Sequence, residues 1–148
     1  MRIEINTAEV INNVKDKSRR DCEALAVDTR YRYEVGTEKM DEVKRIMTQV
    51  QARFKRFVTN YLVRAWQTEA SNEIGMPEYF IYDLLFSDRR AANKMQELAD
   101  LAHEYFVAYT LAKYYGGVGA QELSNTYSLL VADAARELDE LINTKTAP

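Results

Sequence analysis

Helix-breaking and reactive residues are scarce in this chain. Its 148 residues include only 5 Gly and 2 Pro, and both prolines, Pro77 and Pro148, lie outside the long periodic stretches. Because Gly and Pro interrupt helices, their scarcity favours long ones. The single cysteine, Cys22, excludes an intramolecular disulfide and a cysteine-based zinc site.

Long apolar runs are also missing. No apolar stretch approaches the roughly 18–20 residues needed to span a bilayer. The N-terminal MRIEIN has an acid at position 4 and lacks the apolar segment of a signal peptide. We therefore expect a protein that is neither secreted nor bound to a membrane. Hydrophobic residues at 47% and charged residues at 29% are typical of a globular chain, and the length suits one domain over residues 1–148.

Apolar spacing predicts four helices, at about 7–33, 38–73, 88–115 and 120–143. The second is the clearest, because its apolar residues recur in steps of 4, 3, 4, 3 and 4 and so form one continuous seam. With short connections, four such helices predict an all-α, four-helix bundle-like domain. The seam residues are Val43, Met47, Val50, Phe54, Phe57 and Tyr61.

Two short segments do not follow the helical pattern. Ile3 and Ile5 alternate with polar residues, which predicts a short N-terminal strand. The very apolar EYFIYDLLF (78–86) fits either two helical turns or a buried strand, and periodicity cannot separate these at that length. Ser87 and Asp88 follow as possible N-caps of the third helix.

The only histidine, His103, lies three residues after Asp100 and beside Glu104, so it could share a helix face with a carboxylate. Di-iron bundles need such a pair on two helices, and the chain has no second histidine. A metal site built from carboxylates alone, or shared between subunits, stays open. Acid–base catalysis by His103 also stays open, although no nucleophile stands at a recognisable spacing. We favour a partly exposed histidine paired locally with an acid, and we predict no catalytic residue, metal site or cofactor.

The third helix is apolar beyond one core stripe. Such a helix is either central in its domain or presents a second face to a partner, and the two readings carry equal weight. Tyrosines set among charges in TRYRYEVG (29–36) are further interface candidates. The candidate interface residues are Tyr31, Tyr33, Phe106, Val107, Leu111 and Tyr114.

A basic stretch runs from Val43 to Thr68, with six Lys/Arg and no acid. On a helix, four of its arginines project within about 100° of one another. They could contact nucleic acid. We favour the alternative, in which they pair with acids of the fourth helix or of another subunit. The four are Arg45, Arg53, Arg56 and Arg64.

The C-terminal half, residues 79–148, resembles small uncharacterised proteins encoded among the structural genes of phages and prophages of Bacteroidales-type bacteria. The resembling elements are the SDRRAANK helix start, the histidine–aromatic helix, the segment ELSN-x-YSLL and the terminal TK-x-xP. The resemblance implies a role in virion assembly, as a head–tail connector, completion or capsid-associated protein. It implies no catalytic residues.

Together, these features predict a non-enzymatic helical protein that forms homo-oligomers and contacts other virion proteins, in a virion or the bacterial host cytoplasm. The alternative is a nucleic-acid-binding or regulatory helical module that uses the basic flank of the second helix.

Overall fold

A computed structural model shows a small antiparallel sheet beside four longer helices and one short one, and it describes residues 1–69, 75–86 and 92–143. The prediction of a helical, four-helix bundle-like chain is confirmed at that coarse level. The strands are β1 (Arg2–Asn6), β2 (Leu62–Gln67) and β3 (Tyr79–Leu84). The helices are α1 (Thr7–Cys22), α2 (Val27–Tyr33), α3 (Met40–Phe57), α4 (Ala92–Val118) and α5 (Gln121–Asn143).

The sheet shows that the all-α prediction is wrong, and that the chain is mixed α and β. Its strand order is β1-β3-β2, and both pairings are antiparallel. In the register, Ile3 and Ala65 both lie opposite Tyr82, which is fully buried. The strand expected around Ile3 and Ile5 is present as β1, and the ambiguous 78–86 segment contains the central strand β3.

The predicted helix over 38–73 is wrong in its second half. The seam holds as far as Phe57, where α3 ends; Tyr61 lies in a 3-10 turn, and β2 begins at Leu62. Val63 and Trp66 favour an extended backbone, and β3 offers this segment an antiparallel partner, with a register shift between Leu62 and Arg64. The end of the predicted helix, residues 70–73, lies outside the described part of the chain.

The predicted helix over 7–33 is also wrong, because α1 ends at Cys22 and α2 is a separate two-turn helix. Because the helix breaks after Cys22, the segment that follows α2 can turn back onto α1. There the backbone N–H of Val35 donates to the hydroxyl of Ser18 at 2.8 Å. Both residues are buried, so this bond satisfies two polar groups away from water. The predicted caps Ser87 and Asp88 fall outside the described residues.

Helix α4 is the centre of the molecule, because α1, α3 and α5 each pack against a different side of it. The ring of Phe54 in α3 lies 5.7 Å from that of Phe106. The hydroxyl of Ser124 in α5 donates to the carbonyl of Ala112 at 2.9 Å. No helix in the described ranges is long and apolar enough to cross a membrane. That the whole chain is one domain stays a prediction.

Candidate interaction surfaces

The second apolar face of α4 is buried within the chain. Its four candidate interface residues are at most 3% exposed. Phe106 packs against the rings of Phe54 and Phe80, and the hydroxyl of Tyr114 donates to the carbonyl of Glu34 at 3.3 Å. Helix α4 is therefore central in its domain rather than a helix that presents a second face to a partner. Helices α1, α2 and α3 cover the sides that α5 leaves open. The residues withdrawn as interface candidates are Phe106, Val107, Leu111 and Tyr114.

The two tyrosines of α2 have different surroundings. Tyr31 is 71% exposed, and Val27, one turn earlier on the same helix, is 82% exposed. Tyr33 is half-buried against the core, with the guanidinium of Arg32 at 4.9 Å from its ring. The Nζ of Lys39 donates to three carbonyls at the end of α2 and holds it against the start of α3. An apolar pair, Val27 and Tyr31, therefore stands on a firmly attached short helix.

The four candidate arginines do not form one patch. Arg64 lies in β2 rather than in a helix, because α3 ends before it, and its guanidinium stacks on Trp66 at 4.0 Å. Arg45 pairs with Glu42 in its own helix, and this hydrogen bond lowers the pKa of the Glu42 carboxyl. Arg53 and Arg56 are the two that share a surface with a neighbouring helix.

That surface is a furrow along the α3–α4–α5 side of the molecule. Two adjoining hollows of about 320 and 460 Å³ share the side chain of Tyr109. The guanidinium of Arg53 lies 5.8 Å from its ring centre and the Nζ of Lys113 lies 5.6 Å from it, both within reach of the ring's negative face. Within residues 1–69, 75–86 and 92–143, no carboxylate lines either hollow. We call Arg53, Arg56, Tyr109 and Lys113 the basic furrow.

A second, oppositely charged surface follows the other seam between α4 and α5. Two hollows of about 470 and 570 Å³ share Glu137, and their lining includes the apolar side chains of Leu101 and Leu130. Among the described residues, six carboxylates and two ammonium groups, from Lys17 and Lys94, line them. We call this surface the acidic groove, and its carboxylates are Glu97, Asp100, Glu104, Asp133, Glu137 and Glu140.

Few of these carboxylates are neutralised within the chain. Arg136 lies 3.8 Å from Asp133 and 3.6 Å from Glu140, but these groups are mostly exposed, and such pairs contribute little. Within the described ranges, no cation pairs with Glu104 or Glu137. The groove therefore carries an excess of negative charge.

His103 lies at the wall of the acidic groove and is half-buried. Its Nε2 is 2.7 Å from the side-chain amide nitrogen of Asn13, which connects α4 to α1. The expected local acid partner is not used, since Asp100 accepts from Gln96 instead. In the described part of the chain, no group of three or more His, Cys, Asp or Glu side chains is placed to hold a metal ion.

One polar cluster has no signal in the sequence. Asp21, the last residue of the polar run in α1, accepts hydrogen bonds from the hydroxyls of Tyr115 at 3.0 Å and Tyr127 at 2.6 Å. Burial raises the pKa of both hydroxyls, and the bond to Asp21 raises them further. Burial likewise raises the pKa of the neighbouring Cys22 thiol. The cluster joins α1, α4 and α5, and no spacing pattern relates positions so far apart.

No protein-family model, no curated protein and no solved structure matches this chain. A functional proposal for it therefore rests on the geometry of its surfaces and on the resemblance of residues 79–148.

Proposed function

We propose that the chain is a non-enzymatic structural protein that associates with copies of itself, as a virion assembly component such as a head–tail connector, completion or capsid-associated protein. The virion context rests on the resemblance of residues 79–148. Self-association rests on the exposed apolar pair of α2, Val27 and Tyr31.

Other large apolar side chains such as Val63, Leu85 and Leu129 are exposed as well, but Val27 and Tyr31 lie one turn apart on the same helix. Single exposed apolar residues are common in monomers, but residues one helical turn apart present a joint apolar surface. Tyrosine is also enriched where protein surfaces meet, since its ring is large and its hydroxyl tolerates water. Burying Val27 and Tyr31 against another copy would remove this surface from water.

Light scattering or sedimentation over a wide concentration range tests the proposal. We expect masses above the 17.1 kDa of one chain, at multiples of it. The double substitution Val27→Lys/Tyr31→Lys should weaken association because it places charge on the apolar pair. The matched control, Asn12→Lys/Thr48→Lys, adds the same charge at exposed polar positions and should leave association unchanged. A wild-type chain that is monomeric at every concentration would contradict the proposal.

A second candidate function is nucleic-acid binding. The observation that favours it is the basic furrow, where Arg53 and Lys113 lie at the Tyr109 ring and Arg56 lines the same hollow as Arg53. None of the described carboxylates lines this furrow. Binding through phosphates should weaken steeply with salt, and Arg53→Glu/Arg56→Glu should abolish it. Absent or salt-insensitive binding of DNA and RNA would remove this candidate.

A further inference from the structure

We propose that copies of this chain associate head to tail, with the basic furrow of one copy docked on the acidic groove of the next. This inference rests on the proposed self-association and adds a charged contact to the apolar one proposed for Val27 and Tyr31. It identifies the occupant of the groove as a second copy of the same chain.

The first argument is charge complementarity. The basic furrow presents Arg53, Arg56 and Lys113, and none of the carboxylates that the structure describes lines it. Counted over the described ranges, the acidic groove presents six carboxylates against two ammonium groups. Surfaces of opposite potential attract on approach and fix the register of docking.

The second argument is that the chain cannot satisfy these charges by itself. The furrow is lined by Ser124, Ser128 and Val131 of α5, whereas the groove is lined by Leu130 and Glu137 of the same helix. The two surfaces therefore flank α5 and face different directions. Among the described residues, no ion pair joins α3 to α5, so the pairing expected for the basic flank is not made inside one copy. A neighbouring copy brings the two surfaces together.

The third argument is the chemistry of the groove. It is lined by apolar side chains as well as by carboxylates. Long cationic side chains such as Arg53 and Arg56 suit this arrangement, because their aliphatic stems cover apolar surface while their charged ends reach the carboxylates.

The same reasoning disfavours nucleic acid as the partner of both surfaces. A phosphate backbone could meet the furrow, but the acidic groove would repel it. A second copy accounts for both surfaces at once. Because the two surfaces are different, the contact is heterologous, and repeating it produces a closed ring or an open filament.

Charge reversal on each surface tests the inference. The furrow variant is Arg53→Glu/Arg56→Glu, and the groove variant is Glu104→Lys/Glu137→Lys; all four side chains are exposed, so folding should persist. We expect each variant alone to associate at least about tenfold more weakly than wild type, because the furrow variant sets acid against acid and the groove variant cancels the net negative charge of the groove. Mixing the two variants should restore pairwise association, because the unaltered furrow of the groove variant then meets the unaltered groove of the furrow variant.

Matched controls place the same charge changes elsewhere. Arg20→Glu/Lys55→Glu and Glu23→Lys/Asp139→Lys alter exposed positions away from both surfaces and should associate as wild type does. Circular dichroism and melting temperature establish that every variant is folded.

The outcomes separate this inference from the proposed function. A wild-type chain that never associates overturns both. A chain that associates, but whose association is unaffected by salt and by both charge reversals, overturns only the head-to-tail contact. Failure of the mixed variants to restore association also overturns it, as does a furrow variant that loses DNA or RNA binding while associating normally.

Discussion

Helices α4 and α5 are consecutive and packed together, yet they use their apolar residues in different ways. Helix α4 buries apolar side chains around its circumference, including Phe106, Leu111 and Tyr114. Helix α5 buries one stripe and leaves Leu129 70% exposed and Leu130 partly exposed. The difference shows that an apolar-rich helix buries its apolar side chains when neighbours surround it, and leaves some of them exposed when one side faces water.

Alkaline pH should affect α4 most. Burial raises the pKa of Tyr114 and Tyr115 in α4 and of Tyr82 in β3, so the folded chain holds these protons at pH values where the unfolded chain loses them. Their contribution to stability is present below pH about 10 and falls above it, on the order of 1.4 kcal/mol per pH unit for each group. Spectrophotometric titration alongside circular dichroism should show tyrosinate forming together with unfolding. Ionisation of every tyrosine in a folded chain would contradict this prediction.

Phe106→Ala should give the largest effect of a single truncation. It removes a fully buried ring that packs against Phe54 and Phe80, and we expect a loss of about 3–5 kcal/mol in the free energy of unfolding. Leu129→Ala on α5 is the matched truncation at an exposed position and should change stability by less than about 0.5 kcal/mol. Denaturant unfolding measures the loss of stability in both variants. Equal losses would contradict the difference in burial between α4 and α5.

Asp21→Ala tests the polar cluster that connects the two helices. It leaves the hydroxyls of Tyr115 and Tyr127 without their shared acceptor, and we expect a loss of about 1.5–3 kcal/mol in the free energy of unfolding. Asp21→Asn keeps an accepting oxygen and should lose less. If the two variants unfold at the same denaturant concentration, the hydrogen bonds contribute nothing measurable.

Leu129→Lys should have the smallest effect on stability. The side chain is mostly exposed, so we expect a change within about 0.5 kcal/mol in the free energy of unfolding. The same substitution at buried Leu138, one of the core residues of α5, should unfold the chain or weaken it severely. Thermal melts of the two variants provide the comparison, and a large loss from Leu129→Lys would place this residue in the core.

Local patterns were sufficient for some of the architecture. The seam of α3 as far as Phe57 follows directly from apolar residues at helical spacing, because that spacing places them on one face. Alternation at Ile3 and Ile5 was likewise sufficient for β1. The end of α3 was not predictable in this way, because residues 62–67 continue an apolar pattern compatible with a helix. Their conformation depends on β3, which lies more than ten residues further along the chain.

The candidate surfaces depended even more on tertiary structure. The sequence identified the basic stretch that contains Arg53 and Arg56, but Lys113 and Tyr109 join them only because α4 packs against α3. It could not assign Arg64 to a strand, nor place the hydroxyls of Tyr115 and Tyr127 on Asp21. The spacing of residues along the chain predicts which side chains share a face of one helix or strand. It does not predict groupings such as these, which bring together side chains from several helices and strands.

By itself, the sequence determined that this chain builds long helices with continuous apolar faces, because it has few helix breakers and its apolar residues recur at helical spacing. Only the tertiary structure decided that residues 62–67 form a strand, that α4 is central, and that basic and acidic side chains collect on separate sides of α5. The physical reason is that hydrogen-bonding partners, burial and charge are properties of neighbours in space, and most of these neighbours lie far apart along the chain.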